Sequence, residues 1–289
     1  MNPPLTPPHS SALCIFLVNI EVSIVGTSLV SITQSLGHFR KSGWVVTAYL
    51  ITYTGMLIIW AKMSDLWGRR SVTLSTIAIF TLFSAGCGAA RTMDELIICR
   101  AFQGIGAAGC VSMGLCIAYE AVPKKEYPGI AAKIAAATAL GSLVGPLIGG
   151  GVSERSTWRW VFLMNVPAGV LTMVLLIIGV PSDFPHQKKR GYRKMTFREM
   201  VSGRTFARLD LVGSVLLLGA TLLLVTVLLE ANNEFEWNSA VAIALLVVSG
   251  VMWVAFFVNE RIVTGDSWRT EPVFPWRFLF NREWMGVLM

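Results

Sequence analysis

Apolar residues fall into eight runs separated by short polar stretches: residues 12–32, 44–60, 72–90, 96–119, 130–152, 161–180, 209–229 and 240–258. Each is near the roughly 20 residues a helix needs to cross the hydrocarbon core of a bilayer. Runs that cross a bilayer must be helices, because every backbone N–H there needs an acceptor within its own segment. The pattern predicts an all-α polytopic membrane protein. It divides the chain into a tail over 1–11, six helices over 12–181, a basic linker over 182–208, two further helices over 209–259 and a last stretch over 260–289. Within that last stretch, residues 284–289 turn apolar again, like the first turns of a ninth helix that is cut short. The linker fits a plain connection or a surface helix resting on anionic lipid.

Charge orients the runs. Residues 61–70, Ala-Lys-Met-Ser-Asp-Leu-Trp-Gly-Arg-Arg, form a short basic turn between two runs. Short loops rich in Lys and Arg stay on the cytoplasmic side. With that turn inside, the alternate connections, counted together with Lys133 in the first turn of the fifth run, hold eighteen of the 24 Lys and Arg; five lie on the opposite side, and Arg100 is within a run. Both termini are then expected in the cytoplasm. Residues 230–239, with three Glu and no Lys or Arg, suit an external loop.

Composition agrees with a membrane protein: 54% of the 289 residues are hydrophobic and 14% charged, against about 25% charged in soluble domains. A net charge of +7 would fit a nucleic-acid binder if it were gathered on one face. Here it lies between apolar runs, so the bilayer is the expected partner and nucleic acid is not. The five cysteines (Cys14, Cys87, Cys99, Cys110 and Cys116) all sit inside apolar runs, odd in number and without ligand spacing. They read as packing residues. The three histidines are scattered, so no metal centre is expected. A phosphate-cradling G-x-x-x-x-G-K-[ST] loop does not occur, so direct use of ATP is not expected. Nor do His, Asp or Cys cluster at a membrane face as an embedded enzyme would require. The first residues are Pro-rich and lack the basic start and cleavage site of a secretory signal, so the first run reads as a retained helix.

Against this background the polar residues inside the runs stand out. Glu21 lies near the middle of the first run, where a charged acid costs about 2.5–3.5 kcal/mol on insertion scales. It fits either a proton carrier facing a cavity or a protonated acid hydrogen-bonded between helices. Arg100 opens the fourth run, with Gln103 and Gly104 one turn along on the same face. It either reaches an aqueous cavity or snorkels to the outer surface. Gly141, Gly145 and Gly149 repeat every four residues in the fifth run, with Pro146 and Gly150 beside them. They make a small-residue packing face or, more specifically, a kinked and closely sealed helix. In the 61–70 turn, Asp65 can serve helix-end N–H groups, Gly68 permits a tight bend, and Arg69 and Arg70 offer forked donors. Glu120, at the same end of the fourth run, is either their ion-pair partner or an ordinary helix-end acid.

Together these stretches resemble the major facilitator superfamily, and within it the fourteen-helix drug:proton antiporter branch of fungi and bacteria. Residues 61–70 are similar to that superfamily's G-x-x-x-D-x-x-G-R-R loop, with Ala61 in place of the first glycine. Glu21-Val22-Ser23-Ile24-Val25 is similar to the branch's first-helix D-x-T-I-V. Arg100-x-x-Gln103-Gly104-x-Gly106 resembles the fourth-helix motif, and Gly141-x-x-x-Gly145-Pro146-x-x-Gly149-Gly150 the antiporter motif of helix five. Trp158-Arg159-Trp160-x-Phe162, then Asn165-x-Pro167-x-Gly169, matches the start of helix six, and Asp210-x-x-Gly213 the two inserted helices. The resemblance implies a six-helix domain plus the two extra helices, with the second domain missing. It implies proton-coupled export of small, largely apolar compounds such as drugs or toxins, driven by the proton gradient without a cofactor. It places Glu21, Arg100 and Gln103 at the coupling site, and the protein in the plasma membrane, with the vacuolar membrane as the alternative. A transporter of this kind works between two halves, so the expected partners are a small-molecule substrate and a missing or separate C-terminal half. Without that half, the other expectation is an inactive half-transporter or a non-transporting membrane partner or sensor.

Overall fold

The computed structural model describes residues 7–180, 210–231, 235–265 and 273, which fall into two compact units, Met1–Arg193 and Lys194–Met289. The linker 182–208 and the apolar end 284–289 lie outside the described residues. Among the described residues, eight helices are long and apolar enough to cross a membrane, and no strand forms beyond a single bridge between Ala231 and Phe235.

In the first unit the chain runs through α1 (Pro7–Leu36), α2 (Ser42–Trp67), α3 (Arg69–Ala89), α4 (Met93–Glu120), α5 (Tyr127–Arg155), α6 (Arg159–Leu163) and α7 (Asn165–Gly179). Helix α1 begins ahead of the Ala12 boundary that the apolar run sets, so the tail expected over 1–11 is partly helix. Pro7 and Pro8 are tolerated there because first-turn N–H groups have no helical acceptor in any case. The sixth apolar run is two helices, α6 and α7, divided at Met164. Pro167 explains the division: it has no N–H to offer the Leu163 carbonyl, which is where α6 ends.

Helix α4 is the centre of this unit, packed on α1, α2 and α3. Small residues make the contact possible. A Cβ on Gly104 would strike the Tyr49 carbonyl and Thr52 of α2, and one on Gly106 would strike the backbone of Phe80 on α3. At these distances Thr52 Oγ1 can reach across and donate to the Ala101 carbonyl (2.8 Å), and Trp60 Nε1 to that of Ile105 (2.8 Å). Ile24, Ile32, Val45, Leu96 and Phe162 form the core toward the α3–α4 connection. Val18, Tyr49, Ile77, Phe80, Ile117 and Leu176 form a second one.

The second unit holds α8 (Leu211–Glu230) and α9 (Ala240–Gly265), packed along their length. Asp210 caps α8 by accepting from Gly213 N (2.8 Å), and its other oxygen accepts from Asn259 Nδ2 of α9 (2.7 Å). Ser249 Oγ donates to the Ala220 carbonyl (2.9 Å). Helix α9 extends past the end of its apolar run into the stretch expected as loop from residue 260. Asn259, Glu260 and Arg261 continue the turn, and Glu260 accepts from Val273 N (3.0 Å). Val241, Val247, Val251 and Val254 of α9 are exposed, as suits a helix against lipid.

Candidate functional site

Four helices of the first unit bring polar side chains to one buried point. Glu21 on α1 is 0% exposed and Arg100 on α4 is 1% exposed, and Arg100 Nη1 donates to Glu21 Oε1 at 2.7 Å. Gln103, one turn along α4, donates through Nε2 to the same oxygen (3.1 Å) and to Ser84 Oγ of α3 (2.7 Å). Asn165, the first residue of α7, donates through Nδ2 to Glu21 Oε2. Arg100 Nε donates to the Val45 carbonyl (3.1 Å), and Nη1 donates also to Gln103 Oε1 (2.8 Å). Its guanidinium carbon lies 4.0 Å from the centroid of the Tyr49 ring and 5.8 Å from that of Phe162.

The geometry answers the cost of burial. An ion pair taken out of water keeps its value only when further hydrogen bonds satisfy the remaining donors and acceptors. Here both carboxylate oxygens are engaged, and the guanidinium is held by a carbonyl, an amide oxygen and two aromatic faces. Arg100 therefore does not snorkel outward; it points inward to Glu21.

Sequence reasoning paired Arg100 with Gln103 by helical spacing. It did not place Ser84, Tyr49 or Phe162 here, and it noted Asn165 only within a motif. The legible signal for Asn165 was a polar residue two positions before a proline inside an apolar run; for Ser84 and Tyr49 there was only their polarity.

At the 61–70 end, Gly68 turns the chain with φ 87°, the left-handed side that favours glycine. That turn lets Arg69 face back. Its Nη2 lies 2.7 Å from Asp65 Oδ1 and 2.8 Å from Glu120 Oε1, and Nε donates to both Glu120 oxygens at 3.2 Å. Nη1 reaches Ser64 Oγ and the Ala61 carbonyl. Glu120 thus pairs with Arg69, not Arg70. Arg70 goes elsewhere, donating to the Ile177 carbonyl near the end of α7 (3.1 Å). Together the two arginines tie the α2–α3 turn to the ends of α4 and α7.

Gly141, Gly145 and Gly149 all face α1. Side chains there would strike Asn19, Ser23 and Thr27 in turn, so the two helices touch at backbone distance over two turns. Ser28 Oγ donates to the Gly149 carbonyl (3.5 Å) across this seam. Helix α5 runs through Pro146 without interruption. Gly150 meets nothing within reach and lies outside the contact. The stripe thus presses α1, the helix that carries Glu21, against α5. The described residues hold no group of His, Cys, Asp and Glu arranged to bind a metal.

The sequence profile described as Major Facilitator Superfamily matches residues 11–284. The chain belongs to that superfamily. It is an integral, multi-pass membrane protein, and the superfamily is one of transporters. An MFS-type transporter of Fusarium mangiferae is 39% identical over 282 residues, spanning 97% of this chain and 47% of that protein. An efflux pump of Gibberella fujikuroi is 33% identical over 94% of this chain and 46% of its own length. Multidrug resistance protein 3 of Bacillus subtilis is 30% identical over 86% of this chain and 45% of its own. The chain thus spans about half the length of the curated relatives it matches. Among solved structures, a bacterial homologue of the human lysosomal transporter Spinster, inward-facing and unoccupied, aligns with a TM-score of 0.55 at 18% identity. The alignment covers 89% of this chain and 61% of that one; at that identity it speaks to the fold.

Proposed function

We propose that this chain supplies the proton-coupling half of an exporter of small, largely apolar compounds, exchanging substrate for protons and needing no cofactor beyond the proton gradient. One observation carries the reading: an acid and an arginine buried in a membrane helix bundle, paired to each other and hydrogen-bonded to the amides of Gln103 and Asn165. Ionisable groups inside a membrane segment are costly and mark ion or proton pathways. The names of the relatives, efflux pumps and a multidrug resistance protein, support the direction and the substrate class.

In this reading Glu21 takes up and releases the proton, Arg100 neutralises it when ionised, and Gln103 fixes the distance between them. The Arg69–Asp65–Glu120 cluster serves as a latch at the cytoplasmic end, made in one state and opened in another. The closely sealed α1–α5 seam limits leakage past the site. Both termini are cytoplasmic and the membrane is the plasma membrane. Because substrate sites of such transporters lie between two halves, the working unit includes a second bundle, on the same or a separate chain. The alternative is a half that binds such a partner without transporting.

Everted vesicles from cells producing the chain, loaded with an amphipathic fluorescent dye, test this. Imposed proton gradients should drive dye movement that Glu21→Gln abolishes. Movement that persists unchanged in Glu21→Gln refutes the coupling role. Absence of movement in the parent, with a separate six-helix chain co-purifying, favours the non-transporting half.

A further inference from the structure

The two oxygens of Glu21 are not equivalent. Oε1 faces Arg100 Nη1 (2.7 Å) and Gln103 Nε2 (3.1 Å). Arginine can only donate, and it stays protonated. Gln103 cannot turn its amide over, because its Oε1 accepts from Arg100 (2.8 Å) while its Nε2 also serves Ser84 Oγ (2.7 Å). Ser84 is committed in turn, its hydroxyl donating to the Phe80 carbonyl (2.7 Å). A hydrogen placed on Oε1 would meet two fixed donors.

Oε2 has a different neighbour. It accepts from Asn165, whose terminal amide holds an acceptor as well as donors. We propose that the proton carried by Glu21 resides on Oε2 and that Asn165 is the positioning residue that reads it. With the carboxylate ionised, Asn165 Nδ2 donates to Oε2. When a hydronium ion delivers the proton, one of its O–H bonds breaks as an O–H bond forms at Oε2, water is left behind, and the Asn165 amide turns so that its Oδ1 accepts from the new O–H. On release the exchange reverses, the proton returning to a water molecule. This rests on Glu21 being the proton carrier, as proposed above.

The placement of Asn165 gives the exchange a route into the bundle. Asn165 is the first residue of α7, directly after the break at Met164. The short helix before it is clasped to the end of α3. Arg159 Nη1 donates to the Gly88 carbonyl (2.8 Å) and the Ala90 carbonyl, and the Leu163 side chain occupies the space over Gly88. At its other end α7 receives Arg70 on the Ile177 carbonyl. Among the described residues, Asn165 is thus the α7 side chain that hydrogen-bonds the charge of α1. The other titratable or charged groups facing Glu21 are Arg100 of α4, Tyr49 of α2 and Cys87 of α3; α5 meets α1 through glycines, and Arg159 of α6 is engaged by carbonyls.

Infrared difference spectroscopy on the purified chain in lipid nanodiscs tests the assignment without requiring transport. The parent should show a protonated-carboxyl C=O band that titrates with pH and is lost in Glu21→Gln. In Asn165→Leu the titration midpoint of that band should move to the alkaline side by about one pH unit or more, the size expected for losing one hydrogen bond to a charged group. Asn165→Ser, which is smaller and keeps a hydroxyl, provides the same reading should Leu not fold, with a smaller move in the same direction. Thr172→Val, on the same helix with its hydroxyl bonded to the Ala168 carbonyl, should leave the midpoint in place. A band lost in Glu21→Gln whose midpoint stays within a few tenths of a unit in both Asn165 variants overturns the role of Asn165 alone. A titrating band that survives Glu21→Gln overturns the underlying reading of Glu21.

Discussion

Removing either partner of the Glu21–Arg100 pair should destabilise the bundle unequally, and the inequality follows from proton chemistry. Glu21→Met leaves a guanidinium in a site 1% exposed, still bonded to the Val45 carbonyl and Gln103 Oε1 but with no carboxylate. That charge cannot be discharged, because arginine keeps its proton. Leaving one partner of a buried pair uncompensated costs about 3–5 kcal/mol. Arg100→Met leaves a carboxyl that can take up a proton and retain the amides of Gln103 and Asn165 as neighbours, so its cost should be nearer that of an imperfectly bonded polar group, about 1–3 kcal/mol. The double variant should fall short of the sum of the singles by about 2 kcal/mol, the coupling expected of groups in direct contact. Reversible unfolding in mixed detergent–SDS micelles, followed by tryptophan fluorescence, measures all four corners of the cycle. Acidification should offset the Arg100→Met loss, which a proton can relieve, but not the Glu21→Met loss. An Arg100→Met variant that costs as much as Glu21→Met at every pH would refute the argument, as would strict additivity.

Other outcomes follow from single contacts. Gly145→Leu puts a side chain onto Ser23 and the Ile20 carbonyl of α1 and should cost at least about 1–3 kcal/mol by overpacking, whereas Gly150→Ala, facing open space, should leave the same unfolding curve unmoved. Tyr49→Phe should be neutral or slightly stabilising, because the buried Tyr49 hydroxyl has no hydrogen-bond partner among the described residues; Tyr49→Leu should lose about 1–2 kcal/mol with the ring beneath Arg100. Glu120→Gln should change stability by no more than about 1 kcal/mol and less at high salt, since the Arg69–Glu120 pair is partly exposed and Arg69 keeps Asp65.

How far the chain could be read in advance differs by kind of feature. Eight apolar runs were countable because hydropathy is a local property and each run nearly fills a bilayer crossing. Their ends were less legible. Pro7 extends α1 outward and Asn259-Glu260-Arg261 carries α9 on, since a helix continues into water at little cost once its residues permit. The break at Met164 was present in the sequence as Pro167, but an apolar run with a proline reads equally as one bent helix.

Residue type and spacing alone set several things about this protein: a membrane-spanning all-α chain, the charges stranded within it, the glycine ladder of α5 and the bend at Gly68. Each depends on neighbours within a few positions or on the cost of putting a given group in lipid. Only the tertiary structure decided who meets whom. It joined Glu21 to Arg100 across 79 positions and Asn165 to Glu21 across 144, and it chose Arg69 over Arg70 for Glu120. Those choices are made by how closely α4 can approach its neighbours and by which way a side chain faces after a helix break. Both are sums over contacts distant in the chain, so no local stretch contains them.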